Sequence, residues 1–167
     1  TTSSISFVYD EMFPFARREM DGFLKSRWDD SELDSTRRQM AQDAGFESFA
    51  QWVESSAGSC LPRELLCHEA IRLMDGDVKA TGLKQLQGLI WQSGFETGEL
   101  RAHVYEDVLP ALTSWQQQNL DVRIFSSGSV RAQHLFFRHT IEGDLLEFFR
   151  GHYFAELVDN LPRVIVN

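Results

Sequence analysis

Asp121-Val122-Arg123-Ile124-Phe125-Ser126-Ser127-Gly128-Ser129 is the stretch that decides the fold. Asp121 to Phe125 carry β-branched and aromatic side chains, which predicts a short buried strand. The strand runs straight into four small residues, and Val130 to about His139 then reads as a helix. Helix, strand, small-residue turn, helix is the grammar of an open α/β sheet. Val164-Ile165-Val166 predicts a further strand. Just upstream, Val104, Val108, Ala111, Leu112 and Trp115 mark a helix running to about Asn119, with Pro110 as a kink or a fresh start.

Before residue 100 the apolar period is helical nearly everywhere. Pro14 can open a helix that turns Ala16, Met20, Phe23 and Leu24 inward. Phe46, Phe49, Ala50 and Val53 form the stripe of a short helix, and Cys67, Ala70, Ile71 and Met74 repeat that spacing after Pro62. Thr81 can cap a helix carrying Leu83, Leu86 and Ile90, ending towards Gly94. The chain therefore divides into a helical block over residues 28–98 and α/β parts over residues 1–27 and 99–167.

Composition narrows the class. The 167 residues hold 16 basic and 25 acidic side chains, a formal net charge of −9, with 43% apolar residues. That is ordinary globular composition, which excludes wholesale disorder. No stretch reaches the ~18 consecutive apolar residues of a membrane span. The acidic balance argues against a nucleic-acid surface, which needs clustered Lys and Arg. Two cysteines are too few for a disulfide scaffold, and the opening Thr1-Thr2-Ser3-Ser4 has no secretory character, so the expected compartment is the cytoplasm. The first residue is not Met, so a preceding segment is expected.

The chemistry points to the small-residue turn. In α/β sheets ligands gather at the carboxyl ends of strands, where loops lead into helices. A helix N-terminus offers N–H groups and partial positive charge, both suited to a phosphate. Ser126 and Ser127 add hydroxyl donors, and Gly128 lets the backbone come close. The plain alternative is a Ser-rich helix cap with no ligand. Lys79 and Lys84, bracketing Thr81-Gly82, could reach an anion from the helical block, or be two solvated lysines. Asp75-Gly76-Asp77 opens like a calcium loop, but the twelfth position is Leu86 rather than Glu, so it reads as a capped turn. The five histidines show no ligand spacing, and Cys60 and Cys67 read as structural thiols. The four tryptophans read as helix-packing residues.

Three stretches then converge on one family. They are Thr1–Asp10 with Phe13-Pro14-Phe15-Ala16; Lys79-Ala80-Thr81-Gly82-Leu83-Lys84-Gln85-Leu86-Gln87-Gly88-Leu89-Ile90-Trp91; and Ile124–Val130 continued by Ala132-Gln133 and Gly143-Asp144-Leu145. Together, collinear over residues 1–154, the chain resembles the enolase-phosphatases (acireductone synthases) of methionine salvage, in the haloacid-dehalogenase superfamily. The resemblance implies a Rossmann-like core with an inserted helical cap, residues 28–98 being the cap. It implies Mg²⁺ and the substrate 2,3-diketo-5-methylthiopentyl-1-phosphate, which the family enolises and dephosphorylates. Ser126, Ser127 and Gly128 match the family's phosphate-binding turn, while Thr1, Lys79 and Lys84 are further candidates to meet the substrate. A monomer is the family's expectation.

The chain also departs from the family. Family members begin with a strand ending Asp-x-Glu-Gly-Thr, of which Thr1 matches the last residue, so the nucleophilic Asp and its acidic partner are expected before Thr1. After Gly151-His152-Tyr153-Phe154 the family continues Asp-Thr, where Ala155-Glu156 stand here. The family's downstream phosphate-binding Lys and late metal-binding Asp have no counterpart, so no catalytic nucleophile and no metal ligand is assigned within residues 1–167. Phosphoryl transfer through an aspartyl-phosphate needs that carboxylate. Two functions follow: an enolase-phosphatase whose catalytic segments lie outside these residues, or a non-catalytic remnant serving as a binding or interaction module. A sheet lacking its first strand would expose unpaired backbone and favour self-association.

Overall fold

The computed structural model describes residues 7–56, 60–126 and 128–154 of the chain. Thr1, Ser127 and the expected strand Val164-Ile165-Val166 lie outside the described residues. The chain forms two compact units, one of Tyr9–Gly94 and one of Thr1–Val8 with Phe95–Asn167. Among the described residues no helix is long and apolar enough to cross a membrane.

The unit Tyr9–Gly94 is helical. A π-helical segment, Phe7–Met12, runs into α1 (Phe13–Arg27). Pro14 sits in the first turn of α1, where its missing N–H costs nothing. Ala16, Met20 and Leu24 are buried as the stripe requires, with Phe15 beside them, while Phe23 is half-buried. Trp91 donates its indole N–H to the Met12 carbonyl at 2.7 Å, and its ring meets Phe13 edge-on. That bond ties the start of α1 to a residue 79 positions further along the chain.

The α2 helix (Glu32–Asp43) and the short α3 (Phe49–Ser55) follow. The Ser48 hydroxyl accepts from Gln51 N in the first turn, and the Gln51 side chain accepts in return from Glu47 N, just ahead of the cap. Trp28, Phe49, Trp52 and Phe46 pack ring against ring in sequence. The Arg37 guanidinium lies 4.8 Å from the Trp28 ring centroid and donates to the Trp28 carbonyl.

In α4 (Pro62–Asp75) the buried residues are Leu66, Ala70 and Leu73. This corrects the expected Cys67–Ala70–Ile71–Met74 stripe: Cys67, Ile71 and Met74 are only half-buried. Apolar residues lie on two adjoining sides of this helix, and packing chooses between them. Cys60 and Cys67 are free thiols, and burial pushes the Cys67 thiol up. Asp75-Gly76-Asp77 is the turn that ends α4, with Asp75 paired to Arg17 of α1 at 2.5 Å.

The next helix, α5 (Thr81–Thr97), buries Leu83, Leu86 and Ile90 as expected, but two of its ends differ. Thr81 lies inside the helix, whose ladder opens at the Ala80 carbonyl with Lys84 N donating. The cap comes from another helix instead: the Asp43 carboxylate, at the end of α2, accepts from Gly82 N at 2.6 Å. The helix also passes through Gly94 and stops at Gly98, whose φ of +78° is left-handed and suits glycine.

In the second unit, α6 (Val108–Gln117) is shorter than the sequence predicts. Val104 lies outside it, buried in a connecting stretch, and Pro110 sits in the first turn. Trp115 is exposed rather than packed. Strand β1 (Arg123–Ser126) leads through the turn to α7 (Val130–Arg138), and the chain returns to β2 (Gly151–Phe154), which pairs parallel with β1. The register aligns Arg123 with Gly151 and Ser126 with Phe154. Arg150 N donates to the Val122 carbonyl, just ahead of the ladder. The strand starts later than predicted: its pairing with β2 opens at Arg123, whose guanidinium meets the Asp121 carboxylate. On one face Ile124 joins Val104, Val108, Leu112, Phe137 and Leu145 in the core. On the other, Phe125 stacks on Tyr153 and Arg123 donates to the Tyr153 hydroxyl. The described residues are thus mostly helical α/β, with a small parallel sheet.

On α7, His134 meets His152 of β2 with ring centroids 4.2 Å apart, and Phe149 packs against His152 edge-on. The His152 Nδ1 is buried with no partner among the described residues. Burial first, and the charge of His134 second, push its pKa below 6.5.

Two outcomes are expected. Gly82→Ala would put a Cβ 2.7 Å from Met40 N and 2.9 Å from its Cα. Backbone cannot yield cheaply, so the variant loses about 1–3 kcal/mol in urea unfolding. For His152, the unfolded state holds the proton more tightly than the folded one. Stability is therefore complete above pH 6.5 and falls as pH drops through the lower folded value. His152→Gln flattens this acid-side slope in thermal melts taken at successive pH values.

Candidate functional site

The turn between β1 and α7 is organised by its own side chains. Ser126 is the last residue of β1 and half-buried, and its Oγ accepts from Gly128 N at 3.1 Å. That uses a lone pair of the hydroxyl and leaves its hydrogen to donate elsewhere. Ser129 is the N-cap of α7, in extended conformation, with Oγ accepting from Ala132 N. Gly128 has its N–H engaged by Ser126, and a Cβ there would lie 3.4 Å from Ser126 Oγ, so its part is in the turn's shape.

A residue that sequence reading passed over ties the turn down. Gln133, one turn into α7 and 5% exposed, donates from Nε2 to the Gly128 carbonyl at 2.9 Å and to the Tyr153 carbonyl at 3.0 Å. One amide thus holds the turn and the carboxyl end of β2 together. Only its place among the family's motif residues marked Gln133 in the sequence; the partner in β2 is twenty positions away in the chain. Arg123 and Tyr153 likewise meet only through strand pairing. The Arg123 guanidinium holds the Asp121 carboxyl below the ordinary carboxylate range, and the pairing raises Arg123 in turn.

Of the residues singled out from sequence, Ser126 and Gly128 stand together at the carboxyl end of β1. Ser127, between them, and Thr1 are outside the described residues. Lys79 and Lys84 belong to the helical unit, exposed on either side of the start of α5. His134 and His139, both on or ending α7, separate: His134 faces His152, and His139 stacks on Phe95. Among the described residues no three His, Cys, Asp or Glu side chains converge on a metal position. The described turn offers hydroxyls and peptide N–H groups but no carboxylate, so it suits an anion better than Mg²⁺, which is usually held through one or two carboxylates.

No family model matches the chain. It is 40% identical over 153 residues to enolase-phosphatase E1 of Drosophila willistoni, covering 92% of this chain and 62% of that protein. It is 41% identical over 153 residues to enolase-phosphatase E1 of Thioalkalivibrio sulfidiphilus, with the same coverage. Among solved structures, the UTR4 protein (Unknown transcript 4 protein) of Saccharomyces cerevisiae matches with a TM-score of 0.65 at 28% identity, over 92% of this chain and 62% of that one. The chain spans about three fifths of the length of the curated relatives it matches. Over the residues it shares with them, the chain is similar to the proteins named enolase-phosphatase E1.

Proposed function

We propose that this chain is part of an enolase-phosphatase that converts 2,3-diketo-5-methylthiopentyl-1-phosphate to the acireductone. The observation that carries the proposal is 40% identity, collinear over 92% of the chain, to proteins of that name. In the first step a proton leaves carbon and the diketone becomes an enol. In the second, the ester P–O bond breaks as the phosphoryl group passes to the nucleophilic Asp and the acireductone leaves, and water then hydrolyses the aspartyl-phosphate to release inorganic phosphate. The residues of this chain would serve the second step. The Ser126 and Ser127 hydroxyls donate to phosphate oxygens, and the N-terminus of α7 faces the same charge. Support comes from Ser126, whose oxygen already accepts from Gly128 N, so that its hydrogen is the part left to give.

The nucleophilic Asp and the Mg²⁺ ligands belong, in this proposal, to segments outside residues 1–167. Residues 28–98 act as the cap of a Rossmann-like core, Lys79 and Lys84 face anionic substrate, and the whole protein works in the cytoplasm as a monomer. Methionine salvage is the setting that this substrate implies.

The test is phosphate release from the diketone phosphate by the protein at its natural length, assayed with Mg²⁺. Turnover is expected, and Ser127→Ala should lower kcat/KM by about 10²–10³, the loss typical of one donor to developing negative charge. Absence of phosphate release from any ester would leave a binding or interaction module instead. Unchanged turnover in Ser127→Ala would remove the turn from the mechanism.

A further inference from the structure

We infer that Gln133 is a positioning residue, which orients the Gly128–Ser129 peptide towards the substrate phosphate; this rests on the enolase-phosphatase reading above. Both contacts of its side chain are to carbonyl oxygens, at 2.9 Å on Gly128 and 3.0 Å on Tyr153. Only the NH₂ group can face two acceptors, so the chemistry leaves a single orientation for this amide. Its other atom, Oε1, is then buried without a donor among the described residues. An unfilled buried acceptor costs free energy, and an apolar side chain would avoid that cost. Gln133 is therefore poorly explained as core filling and well explained by its two donors.

What those donors do follows from peptide geometry. A trans peptide carries its C=O and the next N–H on opposite sides. Drawing the Gly128 carbonyl onto the buried Gln133 therefore turns the Ser129 N–H the other way, out of the core. It also removes a carbonyl dipole that would otherwise be free to rotate towards an anion. The second bond, to Tyr153, references that peptide to the carboxyl end of β2. The turn is thereby set against the sheet rather than left to its own Ser126–Gly128 bond. In the natural-length protein such pre-orientation acts on phosphate affinity and on the step that releases it.

The test compares Gln133→Met, which keeps length and bulk and has no donor, with Phe137→Leu. Phe137 is equally buried, one turn further along α7. Inorganic phosphate is titrated into each folded variant by calorimetry, and kcat and KM are measured on the diketone phosphate. Gln133→Met should bind phosphate about tenfold more weakly and lose a similar factor in kcat/KM. Phe137→Leu should lower the melting temperature as much and leave phosphate affinity alone. Equal phosphate affinity in wild type and Gln133→Met, or equal weakening in both variants, overturns the positioning role while the function stands. A wild type that binds no phosphate and turns over no substrate overturns both. If Gln133→Met does not fold, Gln133→Glu serves: its affinity should be lost when the carboxyl ionises and partly regained at low pH, where the neutral acid donates one bond. A pH-independent Glu variant with wild-type affinity overturns the proposal.

Discussion

Parallel pairing of β1 with β2 is the constraint from which the rest of the second unit follows. Parallel strands cannot be joined by a tight hairpin, so the chain must leave the end of β1, cross over, and return to the start of β2. Here α7 makes the crossover, with Phe137 packed into the same core as Ile124. The turn after Ser126 must therefore climb directly into a helix N-terminus. That places hydroxyls, a cap and a helix dipole at the carboxyl end of the sheet, where phosphate chemistry is served best. The crossover also brings the far end of β2 beside the turn, and Gln133 converts that proximity into two hydrogen bonds.

The helical unit depends on close approach rather than on a sheet. Gly82 has no Cβ because the backbone of Met40 occupies the space, and the same contact lets Asp43 reach the first turn of α5. One residue thus joins two roles, clearance and capping. The family-like stretch Lys79–Trp91 begins at that junction and ends at Trp91, whose indole holds the Met12 carbonyl. Both ends of the stretch are anchored by long-range hydrogen bonds rather than by caps within the helix.

Much of this was legible from local pattern. The stripe of α5 buries the residues that the spacing predicts, and that of α1 buries all but the half-buried Phe23, because each helix has a predominant apolar face. In α4 the pattern was ambiguous, since Leu66 and Leu73 compete with Cys67, Ile71 and Met74, and tertiary packing took the leucines. Thr81 looked like a cap because threonine has the right oxygen, yet a carboxylate from α2 took the position. Strand β2 escaped notice because Gly-His-Tyr-Phe shows no strand period; its strand character comes from pairing with β1. At the site, Ser126, Gly128 and Ser129 could be named from residue type. Gln133 could be given no role until the Tyr153 carbonyl was known to stand beside it.

The sequence by itself determined the class: helices by their 3.6-residue period, a strand leading into a hydroxyl-rich turn, and a family signature carried on three collinear stretches. These are local properties, set by residue type and spacing, and they survive without knowledge of neighbours. The tertiary structure alone decided which face of α4 is buried, who caps α5, where β1 starts, and what holds the turn. Each of those is a choice between residues of nearly equal local merit. Such choices are settled by whichever distant group completes a hydrogen bond or fills a space, and that group is not visible along the chain.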